Sequence, residues 1–125
     1  MTTARIAIVD DDDSLRIALA DLLRSHGYAV CGHGSAESFL TSADIGRVDC
    51  IVSDIHMPGM DGLAFKKRLD AISDRTPMIM ITARTYPELD TQVTAAGAYG
   101  PLAKPFESAA LLDNIERALA VRTQE

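Results

Sequence analysis

The chain has 125 residues, 47% of them apolar and 24% charged, and a net charge of −6 at pH 7. That length makes one domain with one sizeable core, and the composition is that of a globular protein in water. The acidic balance argues against a duplex nucleic-acid surface, which needs clustered Lys and Arg. Lys66-Lys67-Arg68 is the only basic run. It falls inside a predicted helix, where a solvated face is its simplest reading. No secretory signal opens the chain and no apolar run approaches ~18 residues, so a cytoplasmic protein without a membrane segment is expected. No metal-ligand spacing links Cys31 and Cys50, so both are expected to be small buried residues.

Arg5-Ile6-Ala7-Ile8-Val9 is a continuous apolar run, which predicts a strand buried on both faces. Four carboxylates, Asp10 to Asp13, follow it, and Ser14 opens a helix. Leu15, Ala18, Leu19, Leu22 and Leu23 form one stripe of that helix, and His26-Gly27 closes it. Tyr28 to Cys31 is a second strand, after which Ser35 can cap a short helix carrying Phe39 and Leu40. Cys50-Ile51-Val52 leads a third strand that ends in one carboxylate, Asp54. A loop with Pro58 and Gly59 follows, then a third helix over Gly62 to Ala71. Met78 to Ile81 is a fourth buried strand, ending in Thr82-Ala83. A weak helix over about Glu88 to Ala96 has little to bury and should be loosely held. Tyr99 to Ala103 is a fifth strand, ending in Lys104-Pro105-Phe106. The last helix runs from about Glu107 to Val121, and Arg122 to Glu125 reads as a polar tail.

Strand and helix thus alternate five times along the chain, the mark of a parallel sheet covered on both faces by right-handed crossovers. The expected class is α/β, a flavodoxin-like, doubly wound, five-stranded parallel sheet with five helices and strand order 2-1-3-4-5. Ligands gather at the carboxyl edge of such sheets, at the point where the strand order reverses. Asp10, Asp11 and Asp54 fall at the ends of strands 1 and 3, beside that point. Thr82 and Lys104 fall next along the same rim, at the ends of strands 4 and 5.

Carboxylates converging on a rim repel one another. Two unit charges ~4 Å apart interact by about 4 kcal/mol at an effective dielectric of ~20. Either a divalent cation offsets this, Mg²⁺ suiting oxygen ligands that leave open positions, or one carboxylate's pKa rises. Lys104 adds a positive charge, and Thr82 and the Ala83 N–H add donors, which together suit a transferring phosphoryl group. Asp54, alone at its strand end, is the best candidate for a carboxylate nucleophile. Each piece has a plainer reading: an Asp run as a solvated turn, Asp54 as a loop cap, Lys-Pro as a surface turn. Their joint occurrence at four strand ends is what makes chance a poor account.

Ile8-Val9-Asp10-Asp11-Asp12, the run Asp54-Ile55-His56-Met57-Pro58-Gly59-Met60-Asp61-Gly62, Ile81-Thr82-Ala83 and Lys104-Pro105-Phe106 resemble the receiver domain of two-component response regulators. The resemblance covers about Arg5 to Val121, so residues 1–125 are read as a single receiver domain. Ser14-Leu15-Arg16, Gly27-Tyr28-Ala29-Val30 and Ser35-Ala36-Glu37-Ser38-Phe39-Leu40 look like the FixJ branch. The resemblance implies that Asp54 accepts a phosphoryl group from the phosphohistidine of a sensor histidine kinase or a phosphotransfer protein. It implies Mg²⁺ bound by Asp11, Asp54 and the backbone carbonyl of His56, with Asp10 acting through water. Thr82 and Lys104 would engage the phosphoryl oxygens, and the bond corresponding to Lys104–Pro105 is often cis in the family. The domain would be a switch that catalyses its own phosphorylation and dephosphorylation, not a turnover enzyme. A homodimer through the face of helix 4, strand 5 and helix 5 is implied as well.

One departure stands out. Pro101 occupies the position three before the lysine where the family usually has Tyr or Phe. Proline suits an edge strand, and alternation places Tyr99 on the same face two residues earlier, where it would partly substitute; the alternative is that output runs through the weak fourth helix. His56 and Arg84, two beyond Asp54 and Thr82, would flank the attacking water and set phosphoryl lifetime. Two rivals are a haloacid-dehalogenase-type phosphatase, whose D-x-D-x-T start Asp10 to Ser14 resembles, and an interaction module with a dead site. The first leaves Asp54 unexplained and the second leaves the intact acid, Thr and Lys set unexplained. An EF-hand is excluded because the Asp run lacks alternate spacing, the central Gly and the closing Glu.

Overall fold

The computed structural model describes residues 3–124, and their side chains as far as Val121. Its elements are β1 (Arg5–Val9), α1 (Asp13–Ser25), β2 (Ala29–His33), α2 (Ala36–Leu40), β3 (Cys50–Asp54), α3 (Gly62–Ala71), β4 (Met78–Thr82), α4 (Leu89–Ala95), β5 (Tyr99–Ala103) and α5 (Ser108–Gln124). The strands form one parallel sheet in the order β2-β1-β3-β4-β5, as the alternation of elements predicts. Among the described residues no helix is long and apolar enough to cross a membrane.

The three central strands read as unbroken apolar runs because both of their faces are covered. Ala7, Val9, Ile51, Met78 and Met80 pack against Phe39 of α2, Phe65 and Leu69 of α3, and Leu89 and Val93 of α4. On the other face Ile6, Ile8, Val52, Ile79 and Ile81 pack against Leu19 and Leu23 of α1 and Leu111 and Ile115 of α5. Each of these Val, Leu, Ile, Phe and Met side chains, fully buried, contributes about 1.5–3 kcal/mol. The cysteines divide between these layers. Cys50 is fully buried on the α1–α5 side, while Cys31 is only partly buried on the opposite side.

Helix starts are set by side-chain oxygens. The Leu15 N–H donates to Asp12 Oδ1 at 3.1 Å, so α1 begins at Asp13, one residue before the expected Ser14. Ser35 caps α2 and Asp61 caps α3 in the same way, each satisfying a donor that the helix leaves orphaned. Among the described residues, the seven-residue α4 has no side-chain cap and buries only Leu89 and Val93, in keeping with the weak helix expected there.

Four readings need correction. β2 runs on to His33, because β1 pairs with it along its whole length, Val9 opposite His33. α5 continues to Gln124 and takes in most of the supposed polar tail; Glu125 lies outside the described residues. Lys66 is only 8% exposed. Its stem lies along the core while its ammonium pairs with Asp70, so only Lys67 and Arg68 of the basic run lie in solvent. Finally, the β4–β5 register shifts between Ile79↔Tyr99 and Ile81↔Leu102. The extra residue puts Tyr99 on the face of Leu102, toward the α1–α5 layer, and not on the face of Pro101. Gly100 makes the bulge possible: its φ is +98°, and a Cβ there would lie 2.6 Å from the Met80 carbonyl oxygen. The Gly100–Pro101 and Lys104–Pro105 bonds are both cis, the second as the resemblance implies.

The join of β3 to α3 is equally tight. The Gly62 N–H donates to the Ile55 carbonyl at 2.8 Å, and a Cβ on Gly62 would lie 2.7 Å from the Asp54 carbonyl oxygen and 2.9 Å from the Ile55 Cα. Inside an ordinary helix, alanine is favoured over glycine by about 1 kcal/mol. Gly62→Ala is instead expected to destabilise by about 1–3 kcal/mol, as overpacking does. A lowered urea midpoint would show this; a raised one would mean that the junction yields to the methyl group.

Candidate functional site

The strand order reverses between β1 and β3, and both strands end in acids. Asp10 follows β1 and is fully buried, Asp54 closes β3 at 6% exposure, and Asp11 is exposed at the mouth. One carboxylate oxygen from each lies within 4.8 Å of the other two. The remaining acids of the run turn away: Asp12 caps α1, and Asp13 pairs with Arg16 at 2.6 Å. Asp10 is held through its backbone, its N–H donating to the His33 carbonyl (3.0 Å) and its carbonyl accepting from Arg16 Nη1 (2.7 Å). Its Oδ1 accepts the Asp12 N–H at 2.9 Å.

Lys104 closes the rim from β5. Its N–H donates to the Thr82 carbonyl at 2.7 Å, hooking the end of β5 onto β4. Its Nζ donates to Asp10 Oδ2 at 3.0 Å and to Asp54 Oδ2 at 3.3 Å. One cation therefore bridges two buried acids while a third waits at the mouth. Burial first, and then the charge of Asp10, raise the pKa of Asp54, against the opposing pull of Lys104 and the His56 N–H. Burial alone would lower the Lys104 ammonium, but Asp10 and then Asp54 outweigh it, and its pKa is raised. Three hard oxygen donors with an unbalanced negative charge, open on one side through Asp11, suit a small hard dication.

The rim brings the other expected residues close, in a different posture. Thr82 is buried at the end of β4, but its hydroxyl donates to the Arg84 carbonyl at 2.7 Å and accepts the Arg84 N–H at 3.0 Å. It is committed to the loop after β4. The His56 N–H donates to Asp54 Oδ1 at 3.3 Å. The His56 ring lies 6.4 Å from that of Tyr86, and its buried Nε2 has no hydrogen-bond partner among the described residues. Arg84 is exposed.

Two contributors are invisible in the sequence pattern. Glu37, noted there only as part of the helix around Ser35, reaches across to the loop after β3, where its Oε2 accepts the Met60 N–H at 3.2 Å. Tyr86 leans over His56 and donates from its hydroxyl to Gln92 Oε1 of α4 at 2.9 Å. Its only local signal is an aromatic residue in a polar loop four positions past Thr82.

The family model of the response regulator receiver domain matches residues 6–116. The chain is 36% identical over 118 residues to the transcriptional regulatory protein FixJ of Rhizobium meliloti, which covers 94% of this chain and 58% of that protein. It thus spans little more than half the length of that relative. Among solved structures, FixJ-N superposes with a TM-score of 0.85 at 34% identity, with 96% of each chain covered. The chemotaxis protein CheY4 of Vibrio cholerae superposes with a TM-score of 0.85 at 36% identity, covering 94% of this chain and 100% of that one. Because the match runs unbroken from the first strand into the last helix, the chain belongs to the receiver domain family of two-component response regulators.

Proposed function

We propose that Asp54 is the phosphoacceptor of this receiver domain, and that residues 5–121 act as one switch within a two-component relay. The observation that carries the reading is Lys104 Nζ bridging Asp10 and Asp54. It already holds a cation where anionic oxygens would gather. The donor is a phosphohistidine on a sensor histidine kinase or a phosphotransfer protein. An Asp54 carboxylate oxygen attacks phosphorus, the P–N bond of the donor breaks, and the freed imidazole takes up a proton. Such transfer rests on positioning and charge stabilisation more than on covalent assistance.

Asp11, Asp54 and the backbone carbonyl of His56 would hold Mg²⁺, with Asp10 acting through water, and the ion would supply charge neutralisation at the phosphoryl oxygens. Lys104 follows the incoming charge, exchanging the Asp54 oxygen for a phosphoryl oxygen. Thr82 has to release Arg84 before its hydroxyl can donate to the phosphoryl group, and that exchange draws in the loop before α4. Because α4 is short and uncapped, it is the element least able to resist. The output surface is therefore the face of α4, β5 and α5, where a second copy of the domain would dock. Tyr99, whose side chain packs toward the α1–α5 layer, is a poor stand-in for an aromatic at the position of Pro101. The same residues that position uptake also position the water that removes the group, so the domain catalyses its own phosphorylation and dephosphorylation.

Incubation with acetyl phosphate and Mg²⁺ should add a single phosphoryl group by intact-mass measurement, and Asp54→Asn should abolish it. Steady hydrolysis of a chromogenic phosphate ester without labelling would instead favour a phosphatase. His56→Ala and Arg84→Ala should change the decay of the phosphorylated protein while leaving its formation intact; wild-type lifetimes in both would refute their role at the water path. The raised Asp54 pKa has a consequence for stability. A carboxyl whose pKa is higher folded than unfolded stabilises best at low pH, and that contribution is lost as pH rises through the folded value. Without metal, the stability of Asp54→Asn relative to wild type should therefore grow from about pH 4 toward neutrality. Mg²⁺ should shrink the difference, both effects being read from urea titrations.

A further inference from the structure

A second cluster of ligating side chains lies on the α2 side of the edge strand, away from the acidic rim. Cys31 and His33 are two apart on β2, so their side chains share one face. Asp44, from the segment joining α2 to β3, reaches back over them. A ligand atom from each of the three lies within 4.8 Å of the other two. We propose that Cys31, His33 and Asp44 form a binding site for a borderline-soft transition-metal dication of the Zn²⁺ class, distinct from the acidic rim.

The donor set is the first argument. Thiolate, imidazole and carboxylate are the three side-chain ligands that Zn²⁺ takes, and three protein ligands leave a fourth position for water. The rim offers oxygen alone and selects hard ions; a sulfur and a nitrogen donor select against Mg²⁺ here.

The second argument is that the outer partners of the ligands are already in place. His33 Nδ1 is bonded to Ser38 Oγ at 2.8 Å, which leaves Nε2 turned to the cluster, 2.8 Å from Asp44 Oδ2. Asp44 Oδ1 is taken by Arg5 Nη2 at 2.9 Å, leaving Oδ2 inward. The Asp44 N–H donates to Ser42 Oγ at 3.1 Å. Such hydrogen bonds to the far atoms of ligands orient metal sites generally. Phe39 meets the His33 ring edge-on at 5.4 Å and limits its rotation. Arg5 also lies against the Cys31 sulfur, so its guanidinium has to give way there when an ion binds, while it keeps its hydrogen bond to Asp44 Oδ1. The cluster lies at the sheet edge and is largely covered, the side chains of His33 and Asp44 being 10% and 23% exposed.

The site can be tested with Co²⁺ as a spectroscopic probe, added to reduced protein in saturating Mg²⁺ so that the rim carboxylates do not compete. A single equivalent should bind with a near-ultraviolet thiolate-to-cobalt band, and Zn²⁺ should displace it. Cys50 is fully buried on the other face of the sheet, so the band reports on Cys31. Cys31→Ser should abolish the band, and His33→Gln or Asp44→Asn should each weaken affinity by roughly tenfold or more. All three variants should still be labelled at Asp54 by acetyl phosphate and Mg²⁺, which shows that they are folded. Absence of the band in the wild-type protein would overturn the site. So would a band that survives Cys31→Ser, or Co²⁺ affinity unchanged in both His33→Gln and Asp44→Asn.

Discussion

The rest of the molecule depends on the repulsion between carboxylates gathered at the ends of β1 and β3. Asp10 and Asp54 are buried beside each other, and the one lysine that bridges them leaves the pocket short of positive charge. No arrangement of the apolar core relieves this, because the core is what drives both strands to end at the same rim. The pocket therefore favours any state that brings in more positive charge or spreads the negative charge outward. A bound dication would do the first; the proposed phosphoryl group would move negative charge out toward lysine and threonine while adding to it, so it needs the cation as well. The strain of the resting state and the chemistry proposed for it have one origin.

The neighbouring elements fall into a stiff set and a yielding set. β1, β3 and β4 are buried on both faces, and α3 is clamped to β3 at Gly62, where no room remains for a methyl group. These parts hold Asp10 and Asp54 in place. The loop after β4 is held differently: Thr82 satisfies its hydroxyl on Arg84, and Tyr86 reaches to Gln92 on a helix with two buried side chains. Each of these bonds can be exchanged without opening the core. Toward α4 few apolar contacts have to be broken, which is the physical basis of the output direction proposed above.

The sheet edges carry further features. At one edge, the bulge at Gly100 turns Tyr99 into the α1–α5 layer and leaves Pro101 outside it. At the other, β2 extends two residues further than its apolar pattern indicates, and His33 serves three neighbours at once. Its carbonyl accepts the Asp10 N–H, while its ring is fixed between Ser38 and Asp44. The α2 side of β2 is therefore joined to the acidic rim through one residue, and an ion held there would sit one hydrogen bond from Asp10.

The sequence by itself determined the element order, the sheet class and the residues that reach the rim. Continuous apolar runs such as Ile79 to Ile81 predict doubly covered strands, and a side chain that ends a parallel strand must lie at the carboxyl edge. These are local rules, with one residue setting the place of the next. What local rules miss is decided by elements distant in sequence. The bulge in β5 arises from close packing against Met80, twenty residues earlier, so alternation alone misplaced Tyr99. Lys66 looks like a surface charge until α3 docks and its stem is covered. Glu37, Tyr86 and the meeting of Cys31 and His33 with Asp44 became visible only once α2 and the loops were folded over the sheet. Hydrogen bonds of that kind join residues whose separation along the chain carries no periodic signal, and only the folded chain brings them within reach.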